Sequence, residues 1–304
     1  MADSLDASHA TRRRSCLVVP GSAPEKLAKA AALGADEIVI DLEDAVVPAA
    51  KARARAAVLD ALAAQDWSGV VVSVRVNPPR TPWCHEDLAA LAGAATPLRS
   101  IVVPKVESAG DLAFVERLLD GVEAGAAPRE PLCVQALIET AAGVARAQEI
   151  AAASARLEAL IVGYADLAAS LGRTPAGAAD LAAWDPLREL VLLAARAQGL
   201  QAIDGPYLGL KPDAGFDAAV ARARDAGFDG KWAIHPAQVA PLNVAFAPSE
   251  AEVAEARRVL VALAQAERDG GQGAVALDGR MLDEPLRRGA VRTLIRAGLE
   301  PDGA

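Results

Sequence analysis

The chain has 304 residues, 53% of them hydrophobic, with a mean hydropathy of +0.21, enough apolar material for a large core and too much for a disordered protein. Lys and Arg number 31 against 40 Asp and Glu, and aromatic residues make up only 3%. A formal charge of -9 with few stacking platforms excludes nucleic acid as the expected partner.

Residues 1–13 are polar, without a periodic pattern to dock them, and are expected to form a flexible tail. Neither they nor the "CLVVP" that follows supply the apolar length of a signal-peptide core or a membrane span. Cys16, Cys84 and Cys133 are odd in number and lack a C-x-x-C pair, which argues against a disulfide framework or zinc site and for a reduced, cytoplasmic setting.

From there, short Val/Ile/Leu-rich runs alternate with Ala/Leu/Arg segments of helical spacing. Strands are predicted at 15–19, 37–42, 70–76, 100–104, 132–138, 159–163, 201–204 and 231–234. Between them, "APEKLAKAAALG" opens on a proline and ends at Gly34, and "PAAKARARAAVLDALAAQ" again leads with proline, as helices do. Eight β/α units predict an α/β fold, a closed (β/α)8 TIM barrel over 14–247. An open doubly wound sheet is the alternative, but no G-x-G-x-x-G follows the first strand, so its dinucleotide-binding form has no support.

Residues 248–304 exceed what closing a barrel needs. Ser249 with Glu252 three residues on reads as a capping box, and the glycine-rich "DGGQGAVALDGRMLDEP" breaks the long helix before a last amphipathic segment. Such a C-terminal helical extension is a lid over the barrel mouth or a tail packing on a neighbouring subunit.

In a parallel barrel all strand C-termini open on one face, where the active site lies. Here the strand ends read "IVIDLED", "VVSVRVN", "IVVPKV", "ALIETAAG", "IVGYAD", "AIDGPY" and "AIHPAQ", so Asp41, Glu43, Asp44, Arg75, Lys105, Glu139, Asp166, Asp204 and His235 are expected around one mouth. Carboxylates there suit a hard divalent cation such as Mg2+, and Glu139 and Asp166, which follow consecutive strands, make the natural pair. Simple neutralisation by Arg75 or Lys105 explains the pair alone equally well; the number of converging groups favours function. A solitary His235 reads as scaffold, and no G-x-S-x-G elbow or Walker loop occurs.

Taken in order, "LVVPGSAPEKLAKA", "ADEIVIDLEDAV", "SVRVN", "VPKVES", "ALIETAAGV", "GYADLAASLG", "AIDGPY", "GKWAIHPAQV" and "GRMLDEP" resemble the citrate lyase β-subunit-like family of the HpcH/HpaI aldolase superfamily, which also holds malyl-CoA and citramalyl-CoA lyases. The resemblance runs from about Arg14 to Arg296. It implies a (β/α)8 barrel, a homotrimer or hexamer, that makes or breaks a carbon–carbon bond beside a CoA thioester with Mg2+. Glu139 and Asp166 match the metal ligands, Glu139 also facing substrate, and Arg75 matches the catalytic arginine that contacts substrate. Asp283 in "MLDEP" matches the catalytic aspartate supplied by an adjacent subunit.

The resemblance also gives Asp41, Glu43, Asp44 and Lys105 supporting places behind Arg75 and metal-bound water. Lys29 matches a lysine that binds CoA phosphate, although Ala23 stands where many of these lyases carry the arginine of "GSRP"; Lys26 is close enough in sequence to compensate. The implied activity is cleavage of a short 3-hydroxyacyl-CoA to a keto or aldehyde acid plus acetyl-CoA or propionyl-CoA. Its alternatives are a citrate lyase β-chain working on a citryl thioester held by an acyl-carrier subunit and yielding oxaloacetate, a malyl-CoA thioesterase, and a barrel that binds metabolites without catalysis.

Overall fold

Alternation with a period of two decides which strand residues fill a barrel and which face its helices. In the computed structural model, which describes residues 11–127, 130–173, 181–270 and 274–301, the strands are β1 (Ser15–Pro20), β2 (Glu37–Asp41), β3 (Val71–Arg75) and β4 (Ser100–Val103), then β5 (Cys133–Ile138), β6 (Leu157–Val162), β7 (Gln201–Asp204) and β8 (Gly230–Ala233). They pair in sequence order, all parallel, and β8 returns to β1 to close the barrel. The predicted (β/α)8 TIM barrel is the fold observed.

The connecting helices are α1 (Pro24–Ala30), α2 (Lys51–Ala64), α3 (Cys84–Gly93), α4 (Ala109–Glu123), α5 (Ala141–Ala145) and α6 (Ala147–Ala151). After them come α7 (Tyr164–Ser170), α8 (Asp185–Ala197), α9 (Ala214–Ala226) and α10 (Val239–Ala245). Local chemistry sets their ends. Pro24 starts α1, Ser108 and Asp111 form a capping box on α4, and Asp213 caps α9, which stops at Gly227 with φ 101°.

Inside the barrel the alternation produces layers. Cys16, Val39, Val102, Leu137, Ala159, Ile161, Ile203 and Trp232 form the apolar middle. Two residues earlier on their strands, Glu37, Ser100 and Gln135 join Ser73 in a buried polar layer: the amide of Gln135 donates to Glu37 (2.6 Å) and Ser100 (2.9 Å), and the Ser73 hydroxyl donates to Glu37. Two residues later, Asp41 and Glu139 share the parity of Val39 and Leu137, and Arg75 that of Ser73. The carboxylates that end apolar runs therefore belong to the barrel's inner face.

Residues 1–10 of the expected tail lie outside the described residues. Arg13, at its end, is fully buried and belongs to the barrel floor, donating to Gln201 (2.6 Å) and to Glu158. Its two carboxylate partners, Glu37 and Glu158, are themselves buried, which is why Arg13 is drawn inside while Arg12 beside it stays exposed.

The chain divides into two compact units, Met1–Val244 and Ala245–Ala304. In the second, α11 (Glu250–Gly270) and α12 (Glu284–Arg296) share a core that includes Leu260, Leu263, Leu282 and Leu294. Ser249 and Glu252 make the predicted capping box. The glycine-rich break holds a hairpin that the sequence reading lacked, β9 (Val275–Leu277) paired with β10 (Arg280–Leu282). Asp278 and Gly279 at its tip both have positive φ (49° and 76°), and Asp-Gly is the dipeptide such a turn prefers. Among the described residues no helix is long and apolar enough to cross a membrane.

Candidate active site

Strand register aligns the charged strand ends. Asp41 lies beside Arg75 across β2 and β3, and the buried Asp41 carboxylate accepts from Arg75 Nε (2.8 Å) and Nη2 (2.7 Å). The same carboxylate accepts the backbone N–H groups of Glu43 (2.8 Å) and Ala45 (3.0 Å), so it shapes the loop after β2 as well. Burial works against its charge, yet Arg75 and these bonds hold it below its ordinary value.

Arg75 is thus fixed along one edge. Its Nη1 forms an ion pair with Glu43 at 2.9 Å, and its guanidinium stands 5.6 Å from the centre of the Trp232 ring. Burial opposes the cation, and Asp41, Glu43 and Glu139 more than restore it, raising its pKa. Glu43 also accepts from Lys105 Nζ, while Lys51 donates to the carbonyls of Leu42 (2.8 Å) and Glu43 (2.7 Å), pinning the loop from behind.

Lys105 links both halves of the site. Its backbone has φ 52°, a left-handed conformation costly for a side-chain-bearing residue, and its N–H donates to Glu139 Oε1 (2.9 Å). Its ammonium lies 3.7 Å from Asp166 and 3.8 Å from Asp44, which is exposed. Burial opposes this cation too, but Glu43 raises its pKa.

Glu139 is buried immediately after β5 and packs against Gly163, where an added Cβ would fall 2.5 Å from the Glu139 Cβ and 2.6 Å from Oε2. Only glycine fits. Burial pushes the Glu139 carboxyl up to about 8, with Glu43 and Asp166 adding to the push against Lys105 and Arg75. Asp166 stands in the first turn of α7, half-exposed.

The structure therefore brings Asp41, Glu43, Arg75, Lys105, Glu139 and Asp166 into one network, with Asp44 at its rim. Lys29 is exposed in the last turn of α1 and is not in it. Asp283 belongs to the second unit, half-buried between β10 and α12, and makes no side-chain capping bond to that helix. Asp204, expected in the ring, is instead fully buried in a separate cluster with Lys231, Arg188 and Tyr164: it follows the inward-facing Ile203, so its side chain lies off the barrel's inner face. His235 caps a short turn, its Nδ1 accepting from the Ala237 N–H (3.1 Å), a scaffold role as expected.

Gly163, Trp232 and Lys51 were not anticipated. Only Gly163, ending the apolar run before "YAD", left a sign in the sequence.

Five carboxylates (Asp41, Glu43, Asp44, Glu139, Asp166) meet two pairing cations (Arg75, Lys105), and the most buried acid outside the Arg75 pair resists ionisation. That surplus is what a divalent cation relieves. The donors at Glu139 and Asp166 are all oxygen, which suits Mg2+. Among the described residues no three His, Cys, Asp or Glu side chains are grouped to hold a metal alone. Mg2+ commonly takes only one or two carboxylates and fills its shell with water and substrate, so the residues fit it.

A family model for HpcH/HpaI aldolase/citrate lyase matches residues 14–236. The L-malyl-CoA/beta-methylmalyl-CoA lyase of Cereibacter sphaeroides is 38% identical over 300 residues, covering 93% of this chain and 94% of that protein. A (3S)-malyl-CoA thioesterase of the same species is 41% identical over 284 residues, covering 93% and 94%. Among solved structures, the protein CitE from Mycobacterium tuberculosis in complex with magnesium, acetoacetate and coenzyme A superposes with a TM-score of 0.76 at 35% identity, over 95% of this chain and 99% of that one.

Proposed function

The chain belongs to the HpcH/HpaI aldolase/citrate lyase family, and from that premise we propose that this carbon–carbon lyase uses Mg2+ to cleave a short 3-hydroxyacyl-CoA of the malyl-CoA or citramalyl-CoA type. The observation that carries the reading is a guanidinium locked on two buried carboxylates beside the Glu139 and Asp166 pair, all at one barrel mouth.

In the cleavage direction the substrate hydroxyl loses its proton and becomes a carbonyl as the neighbouring carbon–carbon bond breaks. The bond's electron pair passes to the thioester as an enolate, which takes a proton at carbon. Held by Glu139 and Asp166, Mg2+ would supply Lewis acidity to the hydroxyl and carboxylate oxygens of the departing acid. Arg75 offers the N–H groups left over by Asp41 and Glu43 to the oxyanion that develops. Because Asp41, Glu43 and Trp232 fix it beforehand, it need not reorganise during the step. We assign the proton at carbon to Asp283 of a neighbouring copy in a homo-oligomer, and CoA phosphate contact to Lys29.

The thioesterase relative supports a second reading, in which the same site hydrolyses the thioester. One assay separates them: the purified protein is given malyl-CoA, citramalyl-CoA and 3-hydroxy-3-methylglutaryl-CoA, with Mg2+ and then with EDTA. Mg2+-dependent release of acetyl-CoA is expected. Free CoA with an intact hydroxy acid would establish the thioesterase, and no release of either would move the assignment to a β-chain whose substrate is carried by an acyl-carrier subunit.

The raised Glu139 pKa also sets a pH dependence. Metal binding needs the carboxylate, so below about pH 8 Mg2+ must displace a proton. Its affinity is expected to fall about tenfold per pH unit below that point and to level off above it. Calorimetric titrations in buffers of different ionisation enthalpy check this, and an affinity flat from pH 6 to about pH 9 would contradict it.

A further inference from the structure

Asp204 ends β7 and is fully buried, yet its neighbours supply more than its charge requires. Its Oδ2 accepts from Lys231 Nζ (2.5 Å), and its Oδ1 accepts from Arg188 Nε (3.2 Å) and from the Tyr164 hydroxyl. Lys231 donates also to the carbonyl of Gly205 (2.6 Å), and Arg188 to Asp185 (3.0 Å). Two cations already balance the carboxylate, so the phenol is not needed for neutralisation. What its bond fixes is the position of Tyr164.

That position is over-determined in other ways. The Trp184 ring meets the Tyr164 ring edge-on at 5.7 Å, and Lys231 Nζ stands 5.8 Å from the Tyr164 ring centre. A Cβ on Gly205 would fall 2.7 Å from the tyrosine ring and 2.3 Å from the carbonyl of Val162, so the wall behind the ring admits no side chain. On the other side, Gly163 packs against Glu139 and its N–H donates to the carbonyl of Ile138 (3.0 Å). Tyr164 then begins α7, whose first turn carries Asp166.

We infer that Asp204 and Tyr164 act as positioning residues, a strut from the end of β7 that fixes the first turn of α7 and thereby sets Asp166 at the distance from Glu139 that a divalent cation requires. The inference rests on the assignment of Glu139 and Asp166 as metal ligands. The dipeptide Gly163–Tyr164 joins the two: one residue is shaped to Glu139, the next is tied to Asp204, and Asp166 follows two positions on. Without the phenol bond the ring keeps its apolar contacts but loses its hydrogen-bond tie to the end of β7.

Mg2+ titration by calorimetry, alongside thermal unfolding of the metal-free protein, tests this in three variants. Tyr164→Phe removes only the hydroxyl and is expected to weaken Mg2+ binding about tenfold with little change in Tm. In Asp204→Asn the side-chain carbonyl can still accept from Tyr164 while Lys231 and Arg188 lose their counter-charge. That variant is expected to lower Tm but keep Mg2+ affinity within about twofold. Asp166→Ala is expected to lose Mg2+ binding altogether. Unchanged affinity in Tyr164→Phe, or affinity that follows Tm across Tyr164→Phe and Asp204→Asn, would overturn the strut. Should Asp204→Asn fail to fold, Tyr164→Phe decides alone, a loss of affinity without loss of Tm supporting the strut and any other result overturning it. Unchanged affinity in Asp166→Ala would instead remove the ligand assignment beneath it.

Discussion

Replacing Glu139 by alanine is expected to abolish Mg2+-dependent turnover and to weaken Mg2+ binding by at least about 100-fold, because it removes one of two protein carboxylates proposed to hold the ion. The same change is expected to leave the metal-free fold intact or slightly stabilised. A carboxyl whose pKa is raised by burial from its ordinary 4.5 to about 8 loses stability as pH rises through that interval and carries the full cost above it, a cost that alanine does not have. Activity and stability would then move in opposite directions, as they do where a strained site is kept for function. Unaltered Mg2+ affinity and rate in Glu139→Ala would sink the ligand assignment.

Asp283→Asn is expected to act on a different step. Metal affinity should stay within about twofold, while turnover falls by about 100-fold or more, the usual size of a lost general acid or base. Exchange of acetyl-CoA methyl protons with deuterated solvent isolates that step from carbon–carbon bond cleavage. It should stop in the variant, and exchange at the wild-type rate would refute the role.

The barrel was legible because most of its strands are short Val/Ile/Leu runs separated by segments of helical spacing. Each predicted strand lies within two residues of the observed one. Register placed Asp41, Arg75 and Glu139 at one mouth, since each ends a strand or follows one directly. Asp204 also ends a strand, but strand alternation already sets it apart: Ile203 faces the barrel interior, so Asp204 faces outward, where it meets Lys231. The buried polar layer was invisible: Glu37, Ser73, Ser100 and Gln135 come from four strands, and only the closed barrel stacks them. The β9–β10 hairpin did have a signal in Asp278-Gly279, hidden by the glycines before it.

The closure of the barrel carries a consequence for how the chain is made. Gly230 at the start of β8 runs so close beneath Arg13 that a Cβ there would fall 1.8 Å from the Arg13 carbonyl oxygen. The Arg13 guanidinium finds its partners on β2, β6 and β7. As the polypeptide leaves the ribosome, the first strand must therefore wait for nearly the whole barrel before its last neighbour exists. Closing this seam pairs Ser15 with Lys231, and only the completed barrel repays the loop-closure entropy of bringing positions so far apart in the chain together.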